Sequence, residues 1–145
     1  MDYTISQVPT LISHIHTANA EFTSKRLSAK GSWSSSHGYI LYLLAENTTL
    51  TMSQISRAIN RDKSTTTVLV RKLLDEGLIK SSPSKNDSRV REISLTAKGR
   101  RLNELTAGIS KELLEVCYKG FSAKEKQQLL SMLLKISENI DNSLK

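Results

Sequence analysis

Lys85, Asp87, Arg89 and Arg91 crowd a short polar turn within the stretch SPSKNDSRVREISLTAKG, residues 82–99. A guanidinium on a hairpin tip can enter the narrow, A·T-rich minor groove of duplex DNA, where the potential is most negative. Asp87, two residues earlier, can hold the Arg89 side chain in place by a charge-assisted hydrogen bond. An exposed Asp–Arg pair alone is worth only ~0–1 kcal/mol, too little to account for the positive charge around it. Lys85 and Arg91 then read either as phosphate contacts or as solvated charges.

A second group lies upstream in KSTTTVLVRK, residues 63–72. Ser64, Thr65, Thr66 and Thr67 are poor choices for a helix interior. At a helix start they serve two roles, capping after Asp62 and close approach of short hydroxyls to phosphates and base edges. Lys63 at the start and Arg71 two turns along favour the DNA contact. The first two turns lack arginine and asparagine, so bidentate base readout is expected to be sparse. Arg57 and Arg61, beside the preceding turn, read either as phosphate contacts or as solvated charges.

These side chains need rigid elements to carry them. Thr51-Met52-Ser53-Gln54 has the form of a capping box and opens a short helix with Ile55, Ala58 and Ile59 facing inward. Asn60 can end that helix in the left-handed conformation, and Asp62 can cap the next. The next helix, from Lys63 to Glu76, buries Leu69, Val70 and Leu73 and stops at Gly77, with Leu78 packing back on it. Short helix, tight turn and longer helix have helix-turn-helix order. Leu78–Ser82 and Val90–Leu95 are then the strands of a hairpin, a two-stranded wing.

Around this core the spacing of Val8, Leu11, Ile12, Ile15, Ala18 and Phe22 predicts one amphipathic helix over 5–29, with Pro9 in its first turn. KGSWSSS, residues 30–36, reads as a loop, and HGYILYLLAEN as a helix buried on most sides. Thr96 caps a long helix carrying Leu102, Leu105, Ile109, Leu113 and Val116. A second capping box, Ser122 to Glu125, opens a last helix. Its Leu129, Leu133, Ile136 and Ile140 form a seam that calls for a partner helix. The expected fold is mostly α: one domain over 1–145, with a winged helix-turn-helix core at 34–101 and helical regions at 1–33 and 102–145.

Charge is segregated along the chain. Of 21 Lys and Arg, twelve lie between Thr51 and Arg101, against five of the 14 acids, so the whole net charge of +7 sits in that block. A merely solvated face has no reason to concentrate charge in this way, whereas a polyanion-binding surface has one. No apolar run approaches the roughly 20 residues that span a bilayer, and the N-terminus does not read as a secretory signal. The single cysteine, Cys117, excludes an internal disulfide, and its neighbours suggest a packing residue rather than a thiol switch. His14 and His16 fall on different faces of a helix, and no His/Cys cluster has ligand spacing, so neither a metal nor a cofactor is expected. No glycine-rich phosphate loop and no nucleophile–base constellation argues for an enzyme.

In the order of these elements, and in TMSQISRAINRDKSTTTVLVRKLLDEGLI joined to DSRVREISLTAKG, the chain resembles the MarR family of winged-helix transcription regulators. The resemblance covers essentially the whole length. It implies a homodimer built by the N- and C-terminal helices, each subunit presenting a winged helix to half of a palindromic site in double-stranded DNA. It also implies a bacterial or archaeal regulator, most simply a repressor, in the cytoplasm at the nucleoid. Arg89 falls at the position of the family's minor-groove arginine. Family members often bind a small aromatic or anionic effector between the dimer helices and the winged helix. Trp33, His37, Tyr39 and Tyr42 cluster in sequence at that junction, as a pocket or as ordinary core and loop aromatics. A metal- or thiol-responsive regulator of the same fold and a winged-helix protein-interaction module are the alternatives.

Overall fold

A computed structural model describes residues 2–29, 31 and 33–145. The chain forms two compact units, Met1–Leu113 and Leu114–Lys145. In the first, a 3₁₀ turn at Ile5–Gln7 leads into α1 (Val8–Ser28), with Pro9 in its opening turn. α2 (Ser35–Glu46), β1 (Leu50–Thr51), α3 (Met52–Ala58), α4 (Lys63–Asp75), β2 (Ile79–Pro83) and β3 (Arg91–Leu95) follow. α5 (Ala97–Cys117) begins in the first unit and ends in the second, which also holds α6 (Ala123–Ser143). The loop expected at 30–36 is shorter, because Ser35 and Ser36 already belong to α2, while Lys30 and Ser32 lie outside the described residues.

The core lies within the winged helix. Ile40, Leu41 and Leu44 of α2 pack with Ile55 of α3, Val70 and Leu73 of α4, Leu78, and Ile79, Ile93 and Leu95 of the strands. The expected two-stranded wing is the larger part of a three-stranded antiparallel sheet in the order β1-β3-β2. β1 pairs Leu50 with Ile93, and β2 pairs Ile79 with Leu95 through to Pro83 with Arg91. Pro83 is tolerated because β2 is an edge strand. α2 is less enclosed than expected: Tyr39 and Tyr42 are half exposed and stack on each other with ring centroids 6.0 Å apart.

The helix boundaries follow the local chemistry. Gln54 accepts a hydrogen bond from the Thr51 N–H at 2.8 Å and donates its own N–H to the Thr51 hydroxyl at 3.2 Å, closing the expected capping box. α4 ends as Gly77 takes φ +70°, the Leu78 N–H donates to the Leu73 carbonyl at 2.9 Å, and Leu78 is buried. Thr96 joins the wing to α5. Its hydroxyl donates to the Gly77 carbonyl at 2.6 Å and accepts from the Gly99 N–H at 3.1 Å. α1 is tied to α5 by Arg26, whose guanidinium forms a two-point bond with Glu112 at 2.8 and 2.9 Å and lies over the Phe22 ring. In the second unit, Ser122 and Glu125 form the expected box that opens α6.

Candidate nucleic-acid interface

The turn between α3 and α4 is fixed from within. Asn60 adopts φ +53°, and the Arg61 N–H donates to the Ser56 carbonyl at 3.1 Å. The Ser56 hydroxyl returns a bond to the Arg61 carbonyl at 2.7 Å. Thr66 completes the lock. It is fully buried, with its hydroxyl 2.8 Å from the Asp62 carbonyl, to which it donates, and 3.2 Å from the Ser56 hydroxyl. Thr66 is therefore a turn-locking residue and not the DNA contact expected of it, since a polar side chain with its hydrogen bonds satisfied in the core is not offered to a ligand. Ala58, expected to face inward, is exposed.

Asp62 organises the first turn of α4. Its carboxylate accepts from the Thr65 N–H at 2.7 Å, from the Ser64 hydroxyl at 2.8 Å and from the Thr65 hydroxyl at 3.2 Å. The Thr65 N–H foremost, then the Ser64 and Thr65 hydroxyls, hold this carboxyl below its usual range. The Thr67 hydroxyl donates back to the Lys63 carbonyl at 2.8 Å. With their protons engaged, Ser64, Thr65 and Thr67 offer acceptor lone pairs and methyl groups to anything approaching this end of the helix.

On the wing, the Arg89 guanidinium donates to both Asp87 carboxylate oxygens, at 3.1 and 3.2 Å, and the Arg89 backbone N–H donates to the same carboxylate at 3.0 Å. The guanidinium first, and that N–H second, depress the Asp87 carboxyl. The Arg89 side chain is 89% exposed, so the pair fixes its base and leaves its face to solvent. Arg91 is pinned across the hairpin, donating to the Ser81 hydroxyl at 3.1 Å and the Ser81 carbonyl at 2.9 Å. Lys85 is exposed on the connecting loop.

These parts enclose an open cleft of about 1000 Å³ between the helix-turn-helix and the wing. Arg57, Arg61, Lys63, Arg89 and Arg91 line it, and Asp62 is the one acid in its wall. Five cations around one concave surface favour a polyanion. Lys85 and Asp87 lie outside that lining, as do Ser64, Thr65, Thr67 and Arg71 of α4. Val68, to which the sequence alone assigns no role, is 69% exposed on α4. The signal for it was present, because Val68 falls off the Thr66–Val70–Leu73 stripe that the helix buries.

Trp33, His37, Tyr39 and Tyr42, read as a pocket or as ordinary core and loop aromatics, do not together line either the cationic cleft or a second, smaller groove. His37 is buried and meets Trp33 edge to face at 5.4 Å, on the core side of α2. Tyr39 instead lines a groove of about 430 Å³ with His16, Asn19 and Thr23 of α1, Ser35 and Ser36, the Ile59–Arg61 turn and Leu113. Neither Trp33, His37 nor Tyr42 belongs to its wall. Cys117, expected to pack, is exposed at the end of α5. Among the described residues, no group of three or more His, Cys, Asp or Glu is placed to hold a metal ion, and no helix is long and apolar enough to cross a membrane.

Comparison with known proteins places this geometry. Residues 33–90, the span from the start of α2 to the wing, match the model of the MarR family. The HTH-type transcriptional repressor IacR of Pseudomonas putida is 29% identical over 102 residues, 70% of this chain, and the match spans 61% of that protein's length. Among solved structures, Bordetella bronchiseptica BpsR, a protein whose DNA binding is regulated by 6-hydroxynicotinic acid, superposes with a TM-score of 0.80 at 19% identity over 94% of this chain and 98% of its own. An E. coli MarR variant complexed with operator DNA superposes at 0.79 with 19% identity, over 94% and 99%. Those two likenesses establish the fold, and the match over α2, the helix-turn-helix and the first strand of the wing makes the chain similar to the MarR family of transcriptional regulators.

Proposed function

We propose that this protein is a sequence-specific DNA-binding repressor that acts as a homodimer on a palindromic operator in the cytoplasm and is released by a small effector. The cleft carries the reading: Arg57, Arg61, Lys63, Arg89 and Arg91 converge between α4 and the wing, with Arg89 oriented by Asp87. In this arrangement α4 lies in a major groove, Ser64, Thr65, Thr67 and Arg71 approach its walls, and Arg89 reaches the adjacent minor groove. Lys85 and the remaining cleft cations neutralise phosphates. The apolar side chains that α6 leaves exposed, among them Leu130, Met132, Leu134 and Ile140, support a second copy as the partner for helices at the chain ends.

For release, the 430 Å³ groove replaces the aromatic cluster as the effector site. Its His16, Asn19, Thr23, Ser35, Ser36, Tyr39 and Arg61 suit a small aromatic acid. Asn60 and Arg61 line both this groove and the DNA-facing cleft, so an occupant would act on a residue that meets the operator. Two recognition helices must reach grooves about 34 Å apart, so a small change at this turn suffices to end simultaneous docking.

The test is Arg89→Ala, measured by titrating the operator duplex at two salt concentrations. Operator affinity should fall about 10- to 100-fold with the dimer intact. Unchanged affinity refutes the wing assignment. Failure of the wild-type protein to bind any duplex puts the protein-interaction module first.

A further inference from the structure

We infer that Val68 reads sequence, packing its side chain against the C5 methyl of a thymine in each half of the operator. The inference rests on the DNA-binding reading above and names the base chemistry that the recognition helix selects. At roughly 100° per residue, Val68 stands half a turn from both Thr66 and Val70, opposite the buried stripe of α4. It is 69% exposed, more than any other large apolar residue of the winged helix between 34 and 101. Ser64 and Arg71, one turn before it and nearly one after, are exposed on the same outward face.

A lone exposed valine on an ordinary surface carries no message. This one shares the outward face of α4 with Ser64 and Arg71, on the helix whose first residue, Lys63, lines the cationic cleft, so in the DNA-binding reading the chemistry of its partner is set by the floor of a major groove. There the apolar feature of an unmodified base pair is the thymine methyl. The rest of the face leaves the middle of the helix to that contact. Arg71 lies at its far end, and the Ser64, Thr65 and Thr67 hydroxyls have their protons engaged within α4. A hydroxyl oxygen beside Val68 is matched by the amino group of the adenine paired with that thymine.

Burying one methyl group is worth about fourfold in affinity, and two half-sites give about fifteenfold. The experiment takes the duplex that the wild-type protein selects from a random pool and synthesises it twice, once with thymine and once with deoxyuridine throughout. The wild-type protein should bind the thymine duplex about fifteenfold more tightly, and Val68→Ser should bind the two within about twofold. Because Val68 is exposed, the thermal midpoint of that variant should stay within about 2 °C of wild type. Equal, selective binding of both duplexes by the wild-type protein overturns the inference and leaves the DNA-binding reading standing. Full discrimination by Val68→Ser also overturns it, because the methyl would then act through DNA shape. If no duplex is selected over scrambled DNA, the DNA-binding reading falls and this inference falls with it.

Discussion

Acidification from pH 7.5 to 5 should destabilise this fold through His37. The residue occupies the third position of α2, is 7% exposed, and accepts a hydrogen bond from the Ser34 N–H on Nδ1 at 3.1 Å. An Nδ1 that accepts puts the proton of the neutral ring on Nε2, which is buried with no partner among the described residues. Protonation would charge a buried ring and set an Nδ1–H against the Ser34 N–H. Burial foremost, and the Lys72 ammonium second, push the pKa from the usual 6.5 down to about 4. The unfolded chain therefore binds this proton near pH 6.5 and the folded chain only near 4. The stability it represents is complete above 6.5 and is lost as pH falls toward 4. At about 1.36 kcal/mol per pH unit the full loss is about 3 kcal/mol, and at pH 5 it is about 2 kcal/mol. The control is His37→Gln, which does not titrate and whose side-chain amide oxygen can still accept from the Ser34 N–H, preserving the capping box that opens α2. In urea unfolding at fixed protein concentration, acidification to pH 5 should lower the wild-type midpoint about 1 M more than that of the variant. Equal pH dependence in both would refute the placement of a buried, neutral ring at this position.

Two further outcomes test how the interface is held. Gly99→Ala would drive a Cβ into the Leu78 carbonyl oxygen and within 2.9 Å of the Leu78 carbonyl carbon, at the junction where Thr96 bonds Gly77 and Leu78. We expect a loss of about 3 kcal/mol, seen as a thermal midpoint about 10 °C lower, and a change under about 2 °C would show that the junction yields. Asp62→Ala removes the α4 cap and should lower the midpoint by about 4 °C, whereas Asp62→Asn, which can still accept from the Thr65 N–H, should stay near wild type. Equal midpoints for the Ala and Asn variants would remove the capping role.

The helix-turn-helix and its wing were legible because their boundaries are chemical and local. Thr51 with Gln54, Asn60, Asp62, Gly77 and Thr96 each end or begin an element by a bond to a near neighbour in sequence, and the structure contains those bonds. What escaped depends on distant partners. Leu50–Thr51 is too short to announce a strand and exists through pairing with Ile93 and Glu92, some forty residues on. Thr66 looks like its hydroxyl neighbours until Ser56 and the Asp62 carbonyl enclose it. The aromatic residues divide between two sides of α2 for a readable reason. The two-residue offset that separates His14 from His16 on a helix also separates His37 from Tyr39, so neighbours in sequence came to lie on opposite sides of α2. Cys117 and the apolar residues of α6 are different again. Their exposure is a property of one chain, and the apolar pattern that a sequence shows does not say whether its own chain or another covers it.

The acids beside the cleft resolve an electrostatic puzzle in the basic block. On Coulomb grounds alone, Asp62 in the cleft wall and Asp87 beside it weaken attraction for phosphate. Neither is idle charge. Asp62 accepts three hydrogen bonds at a helix N-terminus, where a carboxylate is favoured by the dipole, and in doing so takes the protons of Ser64 and Thr65. Asp87 gives up part of the attraction of Arg89 in exchange for a fixed direction. A surface meant only to hold a polyanion gains from removing both, since each carboxylate lost adds to the net positive charge. A surface meant to distinguish one duplex from another gains from keeping them, because specificity depends on donors, acceptors and methyl groups held in fixed positions and not on total charge. Both carboxylates orient the side chains that would meet bases, which is the arrangement expected of a reader of sequence and not of a generic DNA-coating surface.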